Sequence, residues 1–223
     1  MAEGRHRGNG RRSRGKFNLG VIGRSNSGKS SFIKLMLQSQ LGPESPDIPK
    51  TDFLECTEKR EKFEIPGCSV VLWDVPGVGT QNEGLEGYDE RIEIEKYDGF
   101  VVCCGGPVTE YELALNNLIA SHGRRYIFVR TKVDAAIENE KKAHPSTFDE
   151  EETLKKLRDG IIEKLSESGV TEFLVSNRHP DKFDFETLNF IIFDEGALAS
   201  YMKSCNKKVK KENWKRKQVE SDC

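Results

Sequence analysis

The sequence predicts an α/β fold in which a mainly parallel β-sheet is flanked by helices and has one antiparallel edge strand. Apolar, strand-like runs alternate with helix-like runs along most of the chain, which is typical of βαβ units. Polar, glycine-containing motifs follow several strand-like runs, where open α/β sheets place their ligand-binding loops. The 223 residues, 35% hydrophobic and 32% charged, can bury one ordinary core. We therefore expect a single α/β domain over residues 16–202.

The predicted elements follow one another in chain order. Apolar runs predict strands at 16–22, 61–65, 69–74, 99–104, 125–130 and 173–176. Runs with helical spacing predict helices at 29–38, 88–95, 110–121, 150–168 and 184–202. The run 61–65 is expected to form the antiparallel edge. Helix 150–168 has the clearest amphipathic pattern, which indicates core packing; its stripe consists of Leu154, Leu157, Ile161 and Leu165.

A phosphate-binding loop is predicted between strand 16–22 and helix 29–38. Its sequence is Gly23-Arg24-Ser25-Asn26-Ser27-Gly28-Lys29-Ser30. This is the spacing of a P-loop, whose backbone N–H groups cradle the phosphates of a nucleotide together with the start of the helix. Lys29 is expected to reach the β- and γ-phosphates, and Ser30 to supply an oxygen to Mg²⁺. The predicted nucleotide-binding residues of this segment are Gly23, Asn26, Ser27, Gly28, Lys29, Ser30 and Ser31.

A second motif, Asp74-Val75-Pro76-Gly77, ends strand 69–74. A carboxylate belongs at this position on the Mg²⁺ side of such a site, so Asp74 is predicted to hold the metal through a water. The backbone N–H of Gly77 senses the γ-phosphate only if the loop closes over it, which predicts a switch over residues 77–87. Gly77 therefore joins Lys29 and Ser30 as a candidate catalytic residue.

The third motif, Thr131-Lys132-Val133-Asp134, follows strand 125–130 and is expected to read the base. The Asp134 carboxylate has two acceptor oxygens that match the two adjacent donors of the guanine edge, whereas adenine presents the opposite pattern. Lys132 is expected to lay its aliphatic stem along the base. With Thr131, these residues predict a preference for GTP over ATP.

The fourth motif is Phe173-Leu174-Val175-Ser176-Asn177, a strand-like run that ends in small polar residues. Ser176 and Asn177 are expected to present a backbone N–H and a side chain near the guanine O6. Because each of the motifs falls at the carboxyl end of a strand, they should meet at one edge of the sheet. The pattern predicts a P-loop NTPase of the Ras-like G-domain type that binds GTP or GDP with Mg²⁺ and hydrolyses GTP.

Longer segments around these motifs indicate a family. They are Phe128-Val129-Arg130-Thr131-Lys132-Val133-Asp134, Asn139-Glu140, Thr147-Phe148-Asp149 and Trp73-Asp74-Val75-Pro76-Gly77-Val78-Gly79-Thr80. Together they resemble the immunity-related GTPases, the interferon-inducible p47 type. Upstream, Glu55-Cys56-Thr57 resembles the Glu-x-Thr segment of that family. The resemblance implies that Thr57 is the switch threonine, with a role in Mg²⁺ binding and in catalysis.

The resemblance covers residues 17–195, the G domain alone. Family members have helices before this domain and a helical domain after it, and neither is matched here, so we expect a bare G domain. The resemblance also implies nucleotide-dependent self-association into a dimer or oligomer. Position 78 is Val, where a Gln would orient the attacking water, so the isolated protein is expected to hydrolyse GTP slowly.

Two other functions remain open. The P-loop sequence and the small size of the chain also resemble those of bacterial ribosome-assembly GTPases. This resemblance would make rRNA the partner. The segments Asn139-Glu140 and Thr147-Phe148 favour the immunity-related family over that group. The third possibility is a GTP-locked binding module with negligible hydrolysis. Association with rRNA that weakens as salt rises would favour the second, and GTP binding without turnover would favour the third.

Both ends of the chain are basic, although the net charge is only −2. Residues 1–15 are predicted to be a disordered arm and 203–223 a basic tail, with attraction to anionic lipid or RNA phosphate as the functional alternative. Trp214 stands among the lysines of the tail, which predicts weak membrane contact at most. No apolar run approaches the ~20 residues of a membrane span, so we expect a cytoplasmic protein, peripheral on intracellular membranes at most. The four histidines have no partner motif and are expected at the surface.

Overall fold

The computed structural model describes residues 15–48, 59–77, 85–165 and 172–204. Thr57, most of the predicted switch (78–84) and the basic segments 1–14 and 205–223 lie outside the described residues. None of the helices in the described part is both long enough and apolar enough to cross a membrane.

One six-stranded sheet forms the centre of the domain. Its strands are β1 Phe17–Ile22, β2 Glu61–Glu64, β3 Val70–Asp74, β4 Gly99–Cys104, β5 Tyr126–Arg130 and β6 Glu172–Leu174. In the spatial order β2-β3-β1-β4-β5-β6, every neighbouring pair is parallel except β2 and β3, which are antiparallel. The predicted mainly parallel sheet with one antiparallel edge strand is confirmed.

Helices cover both faces of the sheet. They are α1 Lys29–Leu41, α2 Tyr88–Ile92, α3 Glu110–Ser121, α4 Val133–Ala143, α5 Glu150–Leu165, α6 Phe185–Phe193 and α7 Glu195–Ser204. The predicted helix 88–95 is shorter than expected: it ends at Ile92 because Glu93 has a left-handed φ of 51°, and a 3₁₀ turn follows at Ile94–Lys96.

The predicted helix 184–202 is two helices in the structure. Asp194 separates them with an extended backbone (φ −86°, ψ 117°). Its side-chain Oδ1 accepts the N–H of Ala197 at 2.7 Å, so Asp194 caps the start of α7. The side chain of Asp194 therefore pairs one of the backbone donors in the first turn of α7.

Helix α4 is an element that the sequence analysis does not predict, because its residues read as a polar turn. Val133 and Ile137 are buried one turn apart and hold the helix to the domain. Lys132 precedes it with a left-handed φ of 57°, which turns the chain sharply from β5 into α4. Asp134 therefore lies in the first turn of a helix rather than in a loop.

The sheet separates two apolar clusters. On one face, α1, α6 and α7 pack through side chains such as Phe32, Leu188 and Met202. On the other face, α2, α3, α4 and α5 pack through side chains such as Leu115 and Ile161. Packing on both faces holds the strands in fixed positions, so the loops at their carboxyl ends are presented together at one edge of the sheet.

Buried positions in these clusters include two cysteines and residues of the predicted α5 stripe. Cys103 and Cys104 are core residues, one in each cluster. Of the predicted α5 stripe, Ile161 and Leu165 are buried and Leu154 and Leu157 pack against the same cluster. The amphipathic pattern of α5 is therefore core packing, as expected.

Candidate nucleotide-binding site

The loop between β1 and α1 has the backbone shape of a phosphate cradle. Gly23, Asn26 and Gly28 have positive φ angles of 147°, 61° and 87°. A Cβ at Gly23 would overlap the carbonyl oxygen of Cys103, so glycine is required there. The N–H of Ser27 donates to the Arg24 carbonyl at 3.1 Å and closes the loop. Helix α1 begins immediately afterwards, with its positive end directed at the loop.

Lys29 and Gly77, which the sequence predicts to act on the same phosphate, lie side by side. The Lys29 side chain is 6% exposed, and its Nζ donates to the Arg24 carbonyl at 3.1 Å. A Cβ at Gly77 would lie 2.7 Å from Lys29 Nζ and 2.9 Å from the Gly23 carbonyl oxygen. The backbone at Gly77 therefore packs directly on the P-loop, and no larger residue fits there without a shift.

Ser30 and Asp74, the described residues of the predicted metal set, are in direct contact. The Ser30 hydroxyl donates to Asp74 Oδ2 at 2.6 Å, and Asp74 is only 5% exposed. A partly buried hydroxyl–carboxylate pair beside the P-loop lysine is a set of hard oxygens that suits Mg²⁺. In the described part of the chain no three His, Cys, Asp or Glu side chains gather as a metal site. A metal held by Ser30 and Asp74 would take further ligands from phosphate and water.

Two side-chain hydrogen bonds join the base-side motifs to the P-loop. Thr131 is fully buried, and its Oγ1 donates to the Ser27 carbonyl at 2.5 Å. Asn177 Nδ2 donates to the Gly28 carbonyl at 3.3 Å. A Cβ at Gly28 would lie 3.3 Å from Thr131 Oγ1 and 3.4 Å from that Asn177 nitrogen, so the contact is close. The phosphate side and the base side of the site are therefore one connected structure.

The residues predicted to read guanine lie beside these contacts. Lys132 is exposed and Asp134 is half-buried, so both are open to a ligand. The N–H of Val133 donates to the Val175 carbonyl at 3.3 Å, which joins this motif to the segment after β6. Ser176 is fully buried, and its Oγ accepts the N–H groups of Arg178 and His179 at 3.2 and 3.1 Å. These bonds fix the backbone of the fourth motif.

Two side chains support the site without being predicted. Tyr88, at the start of α2, is 2% exposed and donates its hydroxyl to the Pro76 carbonyl at 2.8 Å. Arg130, 5% exposed at the end of β5, donates to the Cys104 carbonyl at 3.4 Å. Burial raises the pKa of Tyr88 and lowers that of Arg130. Arg130 stands in the family-like segment, but no sequence signal connects Tyr88 to Pro76.

His122, expected at the surface without a partner, is partly buried and has two. Its Nε2 lies 2.9 Å from Asp89 Oδ2 and its Nδ1 lies 3.2 Å from Glu95 Oε1. Hydrogen bonds from His122 and then Arg124 lower the pKa of Glu95. His122 thereby joins the end of α3 to α2 and the 3₁₀ turn, which follow the Asp-x-x-Gly motif in the sequence.

The fold and this site define a class, the G domains of P-loop nucleotide-binding proteins. Two solved structures share the fold. GDP-bound aIF5B from Aeropyrum pernix has a TM-score of 0.53 and 12% identity over 84% of this chain and 36% of that chain. Bacterial selenocysteine-specific elongation factor EF-Sec has a TM-score of 0.51 and 17% identity over 86% of this chain and 29% of that chain. At these identities the likeness concerns the fold alone.

Sequence comparison identifies the family within that class. The family model for "Interferon-inducible GTPase (IIGP)" matches residues 10–218. Interferon-inducible GTPase 1 of Mus musculus is 34% identical over 176 residues, 77% of this chain and 42% of the relative. Interferon-inducible GTPase 5 of Bos taurus is 33% identical over 177 residues, 78% of this chain and 38% of the relative. The chain belongs to the interferon-inducible GTPase family, which confirms the predicted resemblance, and it spans about two fifths of these relatives' length.

Proposed function

We propose that this chain binds guanine nucleotides and hydrolyses GTP to GDP and phosphate with Mg²⁺. The observation that carries the proposal is the direct connection of separate motifs to one loop. Ser30 bonds to Asp74 on the metal side, and Thr131 and Asn177 bond to P-loop carbonyls on the base side. A single nucleotide lying along this edge would meet phosphate, metal and base groups together.

At the phosphate end, the groups of the chain are arranged to stabilise negative charge. The P-loop N–H groups would bind the phosphate oxygens, and the Lys29 ammonium would pair with the β- and γ-phosphates. The Gly77 N–H would donate to the γ-phosphate from beside Lys29. Because the P-loop N–H groups and the Gly77 N–H belong to backbone segments that pack together, these donors would reorganise little as charge develops during phosphoryl transfer.

On the metal side, Ser30 would bind Mg²⁺ through its hydroxyl oxygen and Asp74 would hold it through a water. The ion would neutralise charge on the β- and γ-phosphates. Thr57 is proposed as the second protein ligand and as the switch residue; this rests on the family-like Glu-x-Thr segment. Asp74 is buried next to the P-loop, where little water screens its charge, so a divalent cation beside its carboxylate would be attracted strongly.

At the base end, Asp134 is proposed to accept the two donors of the guanine edge while Lys132 covers the base. Ser176 and Asn177 flank the base from the fourth motif. Adenine would leave the Asp134 carboxylate facing an acceptor and lacking its second donor, and a site built on such a pairing rejects the wrong partner strongly.

The group that orients the attacking water is proposed to come from a second copy of the chain. Val78 cannot hydrogen-bond a water as Gln would. Self-association in the GTP-bound state would bring that group to the site. We place this activity in the cytoplasm, following the sequence-based expectation.

The proposal is tested by measuring steady-state hydrolysis of GTP and of ATP with and without Mg²⁺. We expect turnover of GTP only, dependent on Mg²⁺, and lost in Lys29→Ala. Lys34→Ala is the matched control, because Lys34 lies five residues further along α1 and on a different side of the helix. Hydrolysis of both nucleotides at equal rates, or turnover that survives Lys29→Ala, would contradict the proposal.

Base reading is tested separately with Asp134→Asn. The amide replaces one acceptor oxygen by a donor, so affinity for GTP should fall while affinity for xanthosine triphosphate rises, since xanthine has a carbonyl where guanine has an amino group. Fluorescent nucleotide titrations would measure both affinities. An unchanged GTP affinity would remove Asp134 from the base site.

A further inference from the structure

A groove on the surface away from the nucleotide site remains without an assigned role. It has a volume of about 660 Å³ and lies between the end of α1 and the length of α6. Its lining includes Ser39 and Gln40 from α1 and Phe190 and Phe193 from α6. Phe190 is 63% exposed, one of two large apolar side chains so exposed in the described residues. With Phe193, which also lines the groove, Phe190 forms an apolar area that a partner's apolar side chain could cover.

The rim of the groove is acidic. Asp181, Glu186 and Asp194 line it and are exposed. The apolar floor and the carboxylate rim together would suit a segment that carries an aromatic residue among lysines or arginines.

Residues 205–223 have this composition and follow α7 directly. The segment contains seven Lys or Arg residues against three Asp or Glu residues, with Trp214 among them. Asp194, on the rim of the groove, immediately precedes α7. The ten residues of α7 rise about 15 Å, a distance that about five extended residues can cover. Trp214 is ten residues beyond Ser204, so the chain is long enough to return it to the groove.

We infer that the groove between α1 and α6 binds the basic segment 205–223 of the same chain, with Trp214 against Phe190 and the lysines facing the acidic rim. The indole supplies apolar area, and the surrounding charges fix the register. This inference concerns a surface outside the nucleotide site, so it does not depend on the proposed function.

Tryptophan fluorescence tests the contact in the full chain. The chain has two tryptophans, Trp73 and Trp214. Trp73 donates to Asn18 within the sheet region, so its emission should stay constant. Subtracting the spectrum of Trp214→Phe from that of the wild type isolates Trp214. We expect blue-shifted Trp214 emission with weak acrylamide quenching.

Variants of the groove then decide where Trp214 is sheltered. Phe190→Ser should shift the Trp214 emission to the red and increase its quenching, and Glu186→Lys should do the same by removing rim attraction. Ile162→Ser is the matched control, because Ile162 is 49% exposed on α5, which packs on the opposite face of the sheet. GTP turnover should be unchanged in all three variants.

Several results would overturn the inference. The first is Trp214 emission at the wavelength of a fully hydrated indole in the wild type, or emission that shifts equally in Phe190→Ser and Ile162→Ser. The second is a blue shift of the Trp214 emission that appears only as protein concentration rises, since the groove would then hold the segment of another copy. The third is a blue shift of the Trp214 emission only after phosphatidylserine vesicles are added, which would mean that the segment binds lipid and not the groove.

Discussion

At the residue scale, the site depends on glycines, which have no side chain, as much as on residues with polar side chains. Gly77 touches Lys29 and the P-loop so closely that a Cβ would lie 2.7 Å from the Lys29 ammonium. The proposed pairing of Lys29 with phosphate requires the lysine to stay near that position. Gly77 is thus constrained by its packing against the P-loop.

Gly77→Ala should separate nucleotide binding from turnover. We expect GDP affinity to be retained and the hydrolysis rate to fall about 10- to 100-fold, because small displacements of an aligned group cost rates of this order. Single-turnover hydrolysis and GDP titration would measure the two effects. Gly160→Ala is the control: it lies in α5 with open space around its Cα and should leave both quantities unchanged. Equal loss of GDP binding in Gly77→Ala would mean that the P-loop itself is disturbed.

Residue types at the site could be predicted because the chemistry restricts them. Phosphate, metal and guanine each require particular donors or acceptors, so Lys29, Ser30 and Asp134 stand out in the sequence. The contacts that connect them could not be predicted. The bond from Asn177 to the Gly28 carbonyl joins positions 149 residues apart and follows from the fold alone.

At the scale of single elements, α2 contacts the Asp-x-x-Gly motif, although residues 78–87 separate the two in the sequence. Tyr88 is the first residue of that helix and donates to the Pro76 carbonyl, one residue before Gly77. His122 then joins α2 to the end of α3 through Asp89. Tyr88 is therefore proposed as a positioning residue: through the Pro76 carbonyl it holds the backbone next to Gly77, the proposed γ-phosphate sensor.

Tyr88→Phe should weaken binding of a non-hydrolysable GTP analogue while leaving GDP affinity unchanged. Only the triphosphate requires the Gly77 N–H, and the lost hydrogen bond is worth about 1 kcal/mol, or roughly fivefold in affinity. Competition titrations with both nucleotides would measure the difference. Tyr111→Phe serves as control, since its buried hydroxyl has no hydrogen-bond partner in the described part of the protein. A loss of equal size for both nucleotides would indicate a purely structural role.

Element boundaries were predictable where local patterns agree with packing and not elsewhere. The predicted helix 110–121 coincides with α3, where Thr109 and Glu112 form a capping box. The break at Asp194 is not predicted because the apolar pattern of the sequence continues from α6 into α7. Helix α4 escapes it because Val133 and Ile137 are its only buried residues.

At the scale of the whole molecule, the strand order explains why distant motifs meet. Strand β1 lies between β3 and β4, so the P-loop has the Asp74 motif on one side and β4 on the other. The next strand, β5, brings Thr131 to the Ser27 carbonyl. Alternating strand and helix runs predict the parallel sheet, since a parallel connection needs a crossover. They do not specify the spatial order, which follows from packing on both faces.

The proposed hydrolysis also requires a group that orients the attacking water. Lys29, Ser30 and the Gly77 backbone are in place, but Val78 offers no side-chain donor or acceptor to a water. We therefore expect the rate per molecule of GTP hydrolysis to rise by about tenfold or more with protein concentration. Supplying one transition-state donor is worth roughly 10² to 10³ in rate.

Steady-state turnover across a wide range of protein concentrations measures this rise, with Lys29→Ala as the blank. Light scattering in parallel, with GDP and with a GTP analogue, shows whether association requires the triphosphate. A rate per molecule that stays constant while GTP binds tightly would contradict self-activation. It would assign the missing group to a different protein, because the nucleotide-binding half of the site would still be intact.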